Sequence, residues 1–199
     1  MPSFIQRLIS FFLIIIFSPI FVILHLLIFL DDGSPTIFAQ NRIGKNGKIF
    51  KCYKLRSMLN NAEEILKNDK SLMKIYIENG YKIPESLEQR YTKYGKFLRK
   101  SSLDELPQLF NVLFGQMNLV GPRPIVPKEL EHYKGEKRKV FLSMKPGMTG
   151  LWQVSGRSNL DYPERADFEI SYKAKRSFAL DIQILFKTFL VVIKRKGAH

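Results

Sequence analysis

The sequence has few of the residues that build disulfide scaffolds or structural metal centres. It contains a single cysteine, Cys52, and three histidines in 199 residues. One cysteine excludes an intrachain disulfide framework. A structural zinc site normally takes four cysteine or histidine ligands, and these few residues are scattered along the chain. Neither a disulfide scaffold nor a zinc-binding domain is therefore expected.

Acidic residues are scarce relative to basic ones. The chain carries 32 lysine and arginine residues against 18 aspartate and glutamate residues, which gives a formal net charge of +14. Such an excess favours anionic partners: nucleic acid, anionic lipid headgroups or phosphorylated metabolites. The sequence also has no Asp-x-Asp motif and no G-x-x-x-x-G-K-[ST] phosphate loop. The second absence argues against an ATPase.

The amino-terminal region is the longest apolar segment. Residues 8–30, LISFFLIIIFSPIFVILHLLIFL, contain no Asp, Glu, Lys or Arg. A bilayer core about 30 Å thick needs ~20 apolar helical residues. The segment is too long for a secretory signal, and DDGSPT follows it instead of a small-residue cleavage site. We therefore expect residues 1–32 to insert into a membrane and residues 33–199 to form one attached domain.

Ser18 and Pro19 lie near the middle of this segment. Proline removes a backbone hydrogen bond, so a kink is expected there, and the Ser18 hydroxyl could bond the freed carbonyl. Basic residues, which favour the cytoplasm, flank both ends: Arg7 on one side, Arg42 and Lys45 on the other. From the residues alone, a kinked spanning helix and a helix–break–helix that enters and leaves on the same face are equal alternatives.

The remaining sequence alternates short strand and helix patterns. Asn46-Gly47 between two apolar runs predicts a β-hairpin with a two-residue turn. Apolar residues at helical spacing predict helices over 62–80, capped by Asn61 with Glu64, over 85–100 and over 180–197. Residues 145–165 are rich in Gly, Pro, Ser and Asn and read as a loop. Basic amphipathic helices like these either pack a core or lie at a membrane interface.

Two adjacent carboxylates, Asp104 and Glu105, begin an apolar run after several basic residues. In the structural interpretation, Ser102 and Glu105 form an S-x-x-E capping box, although Pro107 would delete an early helical hydrogen bond. In the functional interpretation, a helix amino terminus keeps Asp104 ionised so that it can attack phosphorus. Repulsion between the anions would then require Mg²⁺ or nearby cations.

Candidate cations lie near this pair in sequence or in loops: Lys54, Arg56, Arg99, Arg123 and Arg157. Each alone could be a solvated surface residue. Arg123 stands out because it lies between two prolines, which restrict its backbone and hold the side chain at a defined angle. Because such restriction is costly for a solvated group, an anion ligand and a solvated surface residue are equal alternatives for Arg123.

Together these segments resemble the bacterial monotopic phosphoglycosyl transferases, also called bacterial sugar transferases. The resemblance covers nearly the whole chain and implies a minimal catalytic form, without the extra amino-terminal helices of longer relatives. It rests on the Ser-Pro-broken apolar helix, RIGKNGKIFKCYKLRSM, KFLRKSSLDELPQLFNVLFGQMNLVGPRP, KPGMTGLWQVSGR and DIQILFKTFLVVIKRKGAH.

The resemblance implies a reaction. A sugar-1-phosphate, of hexose type such as glucose, galactose or an N-acetylhexosamine, would move from a UDP-sugar to undecaprenyl phosphate. UMP would leave, and a surface glycan would start at the cytoplasmic face of the inner membrane. Asp104 would be the nucleophile that forms a covalent phosphosugar intermediate. Glu105 would hold Mg²⁺ with Asp104 or orient the reacting groups.

The resemblance also implies roles for the cations and for the membrane helix. Lys54, Arg99, Arg123 and Arg157 would hold phosphates or uridine, and the first helix would be re-entrant. Family members often carry D-x-x-Y after the SGR loop. Here Glu169 stands before Tyr172, with Asp167 nearby, so either carboxylate could take that place.

We therefore expect an α+β fold: a mostly helical catalytic domain with a small β-hairpin and interfacial amphipathic helices, mounted on a re-entrant membrane helix. The expected partners are a UDP-sugar, undecaprenyl phosphate and membrane lipid, with Mg²⁺ as cofactor and no nucleic acid; a homodimer is left open. One alternative is a membrane-tethered module that binds anionic lipid or nucleic acid without catalysis. Another is a glycosyltransferase that releases UDP.

Overall fold

The computed structural model describes residues 1–79, 83–155 and 162–193. These residues are mainly helical with few strands, which confirms the expected α+β class. The helices are α1 Ser3–Asp32, α2 Ala62–Asn68, α3 Lys70–Glu78, α4 Gly95–Ser101, α5 Gln108–Leu113, α6 Gly135–Ser143, α7 Leu151–Ser155, α8 Glu164–Lys175 and α9 Phe178–Ile193. The strands are β1 Ile37–Ile43, β2 Ile49–Leu55, β3 Asn118–Val120 and β4 Gly147–Thr149.

Helix α1 has the polarity pattern of a membrane helix. Among the described residues it is the one helix long and apolar enough to cross a bilayer. Its buried positions include the polar Gln6 and Ser10, whereas a long series of apolar side chains faces outward. A helix of a water-soluble protein shows the opposite pattern, so this face requires an apolar environment. The exposed side chains include Phe4, Leu8, Phe12, Ile16, Val22, Ile23, Leu26 and Leu30.

Pro19 interrupts the hydrogen bonding of α1 at one position. Its nitrogen has no hydrogen to donate to the carbonyl of Ile15, and the Ser18 Oγ donates to that oxygen instead, at 2.7 Å. This confirms the predicted role of the Ser18 hydroxyl. Helical conformation is kept on both sides of the proline, from Ser3 to Asp32.

The predicted β-hairpin is present. Strand β1 pairs antiparallel with β2 from Ile37↔Leu55 to Ile43↔Ile49. The prediction of a two-residue turn was wrong, because three residues, Lys45, Asn46 and Gly47, lie between Gly44 and Lys48. Asn46 and Gly47 both have positive φ, 59° and 77°, and the Gly44 N–H donates to the Lys48 carbonyl at 2.7 Å. The Asn-Gly signal therefore located the reversal but not its length.

The predicted helix over 62–80 is divided. Helix α2 ends before Asp69, whose carboxylate accepts hydrogen bonds from the backbone N–H groups of Ser71 and Leu72 and so begins α3. Asn61 makes no side-chain capping bond. Asp69 accepts hydrogen bonds from the first amides of α3 because its carboxylate lies two and three residues before them, which is the position of a helix N-cap.

Two further segments differ from their predictions. Residues 85–100 contain a short 3₁₀ turn, Glu85–Leu87, and a helix only from Gly95. Residues 145–165 are not all loop, because β4 and α7 lie there. Strand β4 pairs in parallel with β3, and a Cβ on Gly147 would lie 2.0 Å from the backbone nitrogen of Gly121. Only glycine permits this close pairing. The strands were not predicted, because a strand of three residues is too short to show an alternating pattern of apolar residues.

Helix α9 confirms the amphipathic prediction near the carboxyl end. Its inner face carries the buried Asp181 and Ile184, whereas Phe178, Phe186 and Phe189 are exposed. The described part of the chain therefore has an apolar outer face on α9 as well as on α1. That the amphipathic helices lie in the membrane interface stays a prediction.

Candidate active site

The acidic pair lies in a tight turn between α4 and α5. Leu103–Glu105 form one 3₁₀ turn, and α5 begins after Pro107. Ser102 has a left-handed conformation, φ 57°, and its side chain makes no capping hydrogen bond. The predicted capping box is therefore wrong. Ser102 ends α4 by reversing the chain, and Pro107 starts a new helix instead of interrupting one.

The hairpin brings a lysine to this turn. Lys54 on β2 places its Nζ 2.7 Å from Glu105 Oε1 and 3.7 Å from Asp104 Oδ2. Asp104 is buried, and Glu105 and Lys54 are partly exposed. One cation thus faces two carboxylates that are adjacent in sequence, as a site for a polyanionic substrate requires.

Burial controls the protonation of Asp104. Removal from water is the main cause that raises the pKa of the Asp104 carboxyl to about 6, and the nearby Glu105 carboxylate acts in the same direction. The Lys54 and Arg99 charges oppose this shift and lower the pKa. The proposed cause of its ionisation, an α-helix terminus, was wrong, because Asp104 lies in a 3₁₀ turn and desolvation raises its pKa. Near neutral pH most of the carboxylate is still ionised.

Arg99 is held beside the pair by its own contacts. Its Nε donates to Ser57 Oγ at 3.0 Å, and its guanidinium lies 5.3 Å from the centre of the Tyr91 ring. These contacts fix the Arg99 side chain, which belongs to α4 and lies five residues before Asp104 in the sequence. Lys54 and Arg99 are therefore the predicted cations that the structure brings to the dyad.

Arg123 belongs to a second cluster of charged and aromatic side chains. Its guanidinium lies 5.6 Å from the centre of the Trp152 ring, and that of Arg165 lies 4.4 Å from the same ring. Arg165 also contacts Glu129 at 3.3 Å. Among the described residues, the buried indole Nε1 of Trp152 and one buried guanidinium nitrogen of Arg165 have no hydrogen-bond partner. Two arginines thus flank one tryptophan in a largely desolvated setting.

The structure distinguishes the two candidate carboxylates on α8. Glu169 is buried, accepts a hydrogen bond from the Tyr133 hydroxyl, and lies 3.4 Å from Arg165 Nε. Burial raises the pKa of the Glu169 carboxyl, and Arg123 is among the charges that lower it. Asp167 is exposed and pairs with Lys137. Glu169, and not Asp167, therefore lies in the arginine cluster.

One face of the hairpin connects the two clusters. In the β1–β2 register Arg42 pairs with Phe50 and Lys54 with Phe38, so Arg42 and Lys54 lie on the same face. Arg42 lies 3.5 Å from Glu129 and donates to the Pro124 carbonyl at 3.1 Å. Burial lowers the pKa of Arg42, as does the charge of Arg123. The dyad and the arginine cluster thus border one electropositive surface.

Sequence reasoning missed Arg42, Trp152 and Arg165 as members of this surface. Two partial signals were present: Arg42 lies in the RIGKNG segment, and Trp152 is the single tryptophan of the chain. Arg165 had none. Of the predicted cations, Arg56 bonds the backbone oxygens of Asp32 and Gly33 and so fastens the end of α1. Arg157 lies outside the described residues.

The acidic pair fits part of the ligand set of a magnesium ion. The described residues contain no group of three or more His, Cys, Asp or Glu side chains that could hold a metal alone. Mg²⁺ in phosphoryl-transfer sites is usually bound by one or two carboxylates, with phosphate oxygens and water completing its shell. Asp104 and Glu105 supply that number of carboxylates, so a bound substrate would have to supply the remaining ligands.

Comparison with known proteins identifies the family. The family model for bacterial sugar transferases matches residues 1–195. The undecaprenyl-phosphate galactose phosphotransferase of Salmonella typhimurium is 47% identical over 194 residues, which are 96% of this chain and 40% of that protein. The UDP-glucose:undecaprenyl-phosphate glucose-1-phosphate transferase of Klebsiella pneumoniae is 36% identical, over 96% of this chain and 40% of that protein.

A shorter relative matches over most of its length. The exopolysaccharide production protein ExoY of Sinorhizobium fredii is 40% identical, over 96% of this chain and 85% of that protein. The chain thus spans about two fifths of the Salmonella and Klebsiella proteins and most of ExoY. The match over residues 1–195, together with the geometry around Asp104, establishes that the chain belongs to the bacterial sugar transferase family.

Proposed function

We propose that this protein transfers a sugar-1-phosphate from a UDP-sugar to undecaprenyl phosphate and releases UMP. The observation that carries the proposal is the buried Asp104 beside Glu105, with Lys54 and Arg99 next to them. The names of the Salmonella and Klebsiella relatives include undecaprenyl phosphate together with galactose or glucose, which favours a hexose donor.

In the first step the Asp104 carboxylate attacks the β-phosphorus of the UDP-sugar. A bond forms between the carboxylate oxygen and phosphorus, and the bond from phosphorus to the bridging oxygen breaks. The bridging oxygen keeps the electron pair and leaves with UMP. Lys54 neutralises charge on both carboxylates, so that a diphosphate can approach them.

In the second step a phosphate oxygen of the polyprenyl phosphate attacks the same phosphorus. The acyl-phosphate bond breaks, the polyprenyl diphosphate sugar leaves, and Asp104 returns as a carboxylate. Mg²⁺ bound at the dyad would supply charge neutralisation for the phosphates. Glu105 holds Lys54 at 2.7 Å and thereby fixes the cation next to the reacting atoms.

The arginine cluster suits the nucleotide part of the donor. Arg123 is mounted between Pro122 and Pro124 and lies over Trp152, so its planar fork is held in one orientation. A guanidinium of this kind binds a phosphate through two parallel hydrogen bonds. We assign to this surface the α-phosphate and uridine of the donor, at the cytoplasmic face of the inner membrane.

Nucleotide release and covalent capture test the proposal together. Purified protein is incubated with Mg²⁺, undecaprenyl phosphate and a panel of UDP-hexoses, and UMP and UDP are measured separately. In parallel, each donor is incubated without lipid and the quenched protein is weighed by mass spectrometry. The wild type should gain one sugar phosphate on Asp104. Asp104→Asn should gain none and lose at least ~10³-fold in turnover, or ~4 kcal/mol of barrier.

Glu136→Gln is the matched control, because Glu136 is exposed and, within the described part of the chain, its ion pair is with the neighbouring Lys139 on α6. It should behave as wild type in both assays. Release of UDP instead of UMP would establish plain glycosyl transfer. Absence of nucleotide release with every donor would favour a module that only binds anions. An adduct that still forms in Asp104→Asn would remove the nucleophile assignment.

A further inference from the structure

An apolar groove lies between α1 and α5, beside the turn that carries Asp104. Its volume is about 450 Å³. Ile14, Ser18, Val22 and His25 line one wall, and they follow each other at helical spacing along one side of α1. The opposite wall comes from α5 and contains Phe110 and Phe114.

The Ser18 hydroxyl and one ring nitrogen of His25, the two polar side chains of the α1 wall, are hydrogen-bonded within the helix. Ser18 Oγ donates to the Ile15 carbonyl at 2.7 Å, and His25 Nδ1 lies 2.7 Å from the carbonyl oxygen of Phe21. Neither hydrogen bond requires water or an outside partner. The other lining is mainly aromatic and aliphatic, so the groove favours an apolar occupant over a sugar or a nucleotide.

The groove is connected at one end to the site and along its side to the lipid-facing surface. Tyr53, which precedes Lys54 on β2, and Pro107, which follows the dyad by two residues, both line it. Pro107 lies three positions after Asp104, so their Cα atoms are at most ~11 Å apart. Val22 is 59% exposed on the apolar outer face of α1. An apolar chain can therefore run from the bilayer to the dyad without crossing water.

We propose that this groove binds the first isoprene units of the polyprenyl phosphate, those next to its phosphate. The inference rests on the proposed function, since it assigns the place of the second substrate. Lys54 and Arg99 complement the phosphate at the inner end, and the aromatic wall receives the methyl-branched chain. The rest of the chain stays in the bilayer. The interruption at Pro19 lies in the middle of the groove wall.

The decisive variant is Val22→Trp, which fills the groove mouth at an exposed position. Its matched control is Ile23→Trp, because Ile23 is 56% exposed on the same helix but does not line the groove. In the Val22→Trp variant the KM for undecaprenyl phosphate should rise about tenfold or more. Its KM for the UDP-sugar and its rate of covalent adduct formation without lipid should equal those of wild type.

Geranylgeranyl phosphate in detergent separates groove binding from bilayer anchoring. This short substrate supplies the proximal isoprene units without a membrane, so Val22→Trp should impair its use as strongly as that of the long one. Phe114→Ala should also raise the KM for both lipids, because it removes an exposed aromatic of the opposite wall. Equal effects of Val22→Trp and Ile23→Trp would overturn the proposal, as would a normal KM in Val22→Trp.

A binding experiment tests the groove without any turnover. A polyprenyl phosphate with a photoreactive diazirine in its second isoprene unit is crosslinked to wild-type protein, and the labelled peptides are mapped. Label should fall within residues 14–25 or 107–114, or on Ile37 or Tyr53, which also line the groove, and be removed by excess undecaprenyl phosphate. Competed label confined to other segments would refute the groove. Label in the groove without UMP release in the nucleotide assay would refute the proposed reaction and leave the lipid site standing.

Discussion

Asp104 combines two properties that oppose each other in a folded protein. The proposed role as a nucleophile requires an ionised Asp104, yet its carboxyl is 6% exposed and its pKa is raised to about 6. In the unfolded chain an aspartate titrates near 3.9. Between these two values the folded state holds a proton that the unfolded state has lost. Stability therefore falls as pH rises through this interval, and above about pH 6 the folded protein carries the full cost of the buried charge.

Asp104→Asn should for this reason stabilise the protein while removing its activity. The amide keeps the shape and carries no charge, so the gain should be on the order of 2 kcal/mol at pH 8 and smaller at pH 4.5. Thermal unfolding in detergent at both pH values measures the difference. Glu136→Gln, at an exposed position, should show no such pH dependence. A destabilised Asp104→Asn at pH 8 would contradict the assignment of burial as the dominant influence.

At the level of single elements, the turn between α4 and α5 contains a backbone conformation whose cost in free energy can be tested. Ser102 adopts φ 57°, a conformation that costs an L-residue with a Cβ roughly 1–2 kcal/mol, and its hydroxyl makes no capping bond in return. Ser102→Gly should therefore raise the free energy of unfolding by about 0.5–1 kcal/mol. The midpoint of thermal unfolding reports the change.

Ser101 supplies the control for this prediction. It is the last residue of α4, with its Oγ bonded to the Phe97 carbonyl at 2.7 Å. Ser101→Gly should destabilise, because glycine loses more backbone freedom in a helix. Loss of stability in both variants would mean that the Ser102 side chain supports the turn after all, as the capping box supposed.

The contrast between predicted and observed elements has a physical pattern. The hairpin and the amphipathic α9 were predictable, because local periodicity and turn chemistry determine them. The division at Asp69 was not predictable, since it depends on which of several polar groups accepts from the helix amides, and neither was the left-handed Ser102, whose side chain makes no capping hydrogen bond. The arginine cluster could be predicted only through Arg123 and Glu169, because Arg42, Trp152 and Arg165 meet through contacts far apart in sequence.

At the scale of the whole molecule, α1 is fastened to the rest of the protein at both ends. Near its start, Arg7 Nε donates to the Leu113 carbonyl at 2.8 Å, and Ser10 Oγ donates to that of Leu109 at 2.6 Å. At its end, Arg56 Nη2 donates to the Asp32 carbonyl at 2.9 Å. Thirty helical residues measure ~45 Å, longer than the ~30 Å bilayer core. A helix that crossed the bilayer would carry one of these ends to the opposite side, away from its partners.

These contacts favour the helix that enters and leaves on one face, and labelling can decide between the two topologies. Ser3 and Ser34 are exposed and lie at opposite ends of α1. In a Cys52→Ser background, Ser3→Cys and Ser34→Cys are each treated with a membrane-impermeant thiol reagent. In intact cells both should stay unlabelled, because both ends face the cytoplasm. In lysed cells both should react, which shows that the thiols are accessible. Labelling of Ser3→Cys alone in intact cells would establish a spanning helix, and the contacts of Arg7 and Ser10 could not then form across the bilayer.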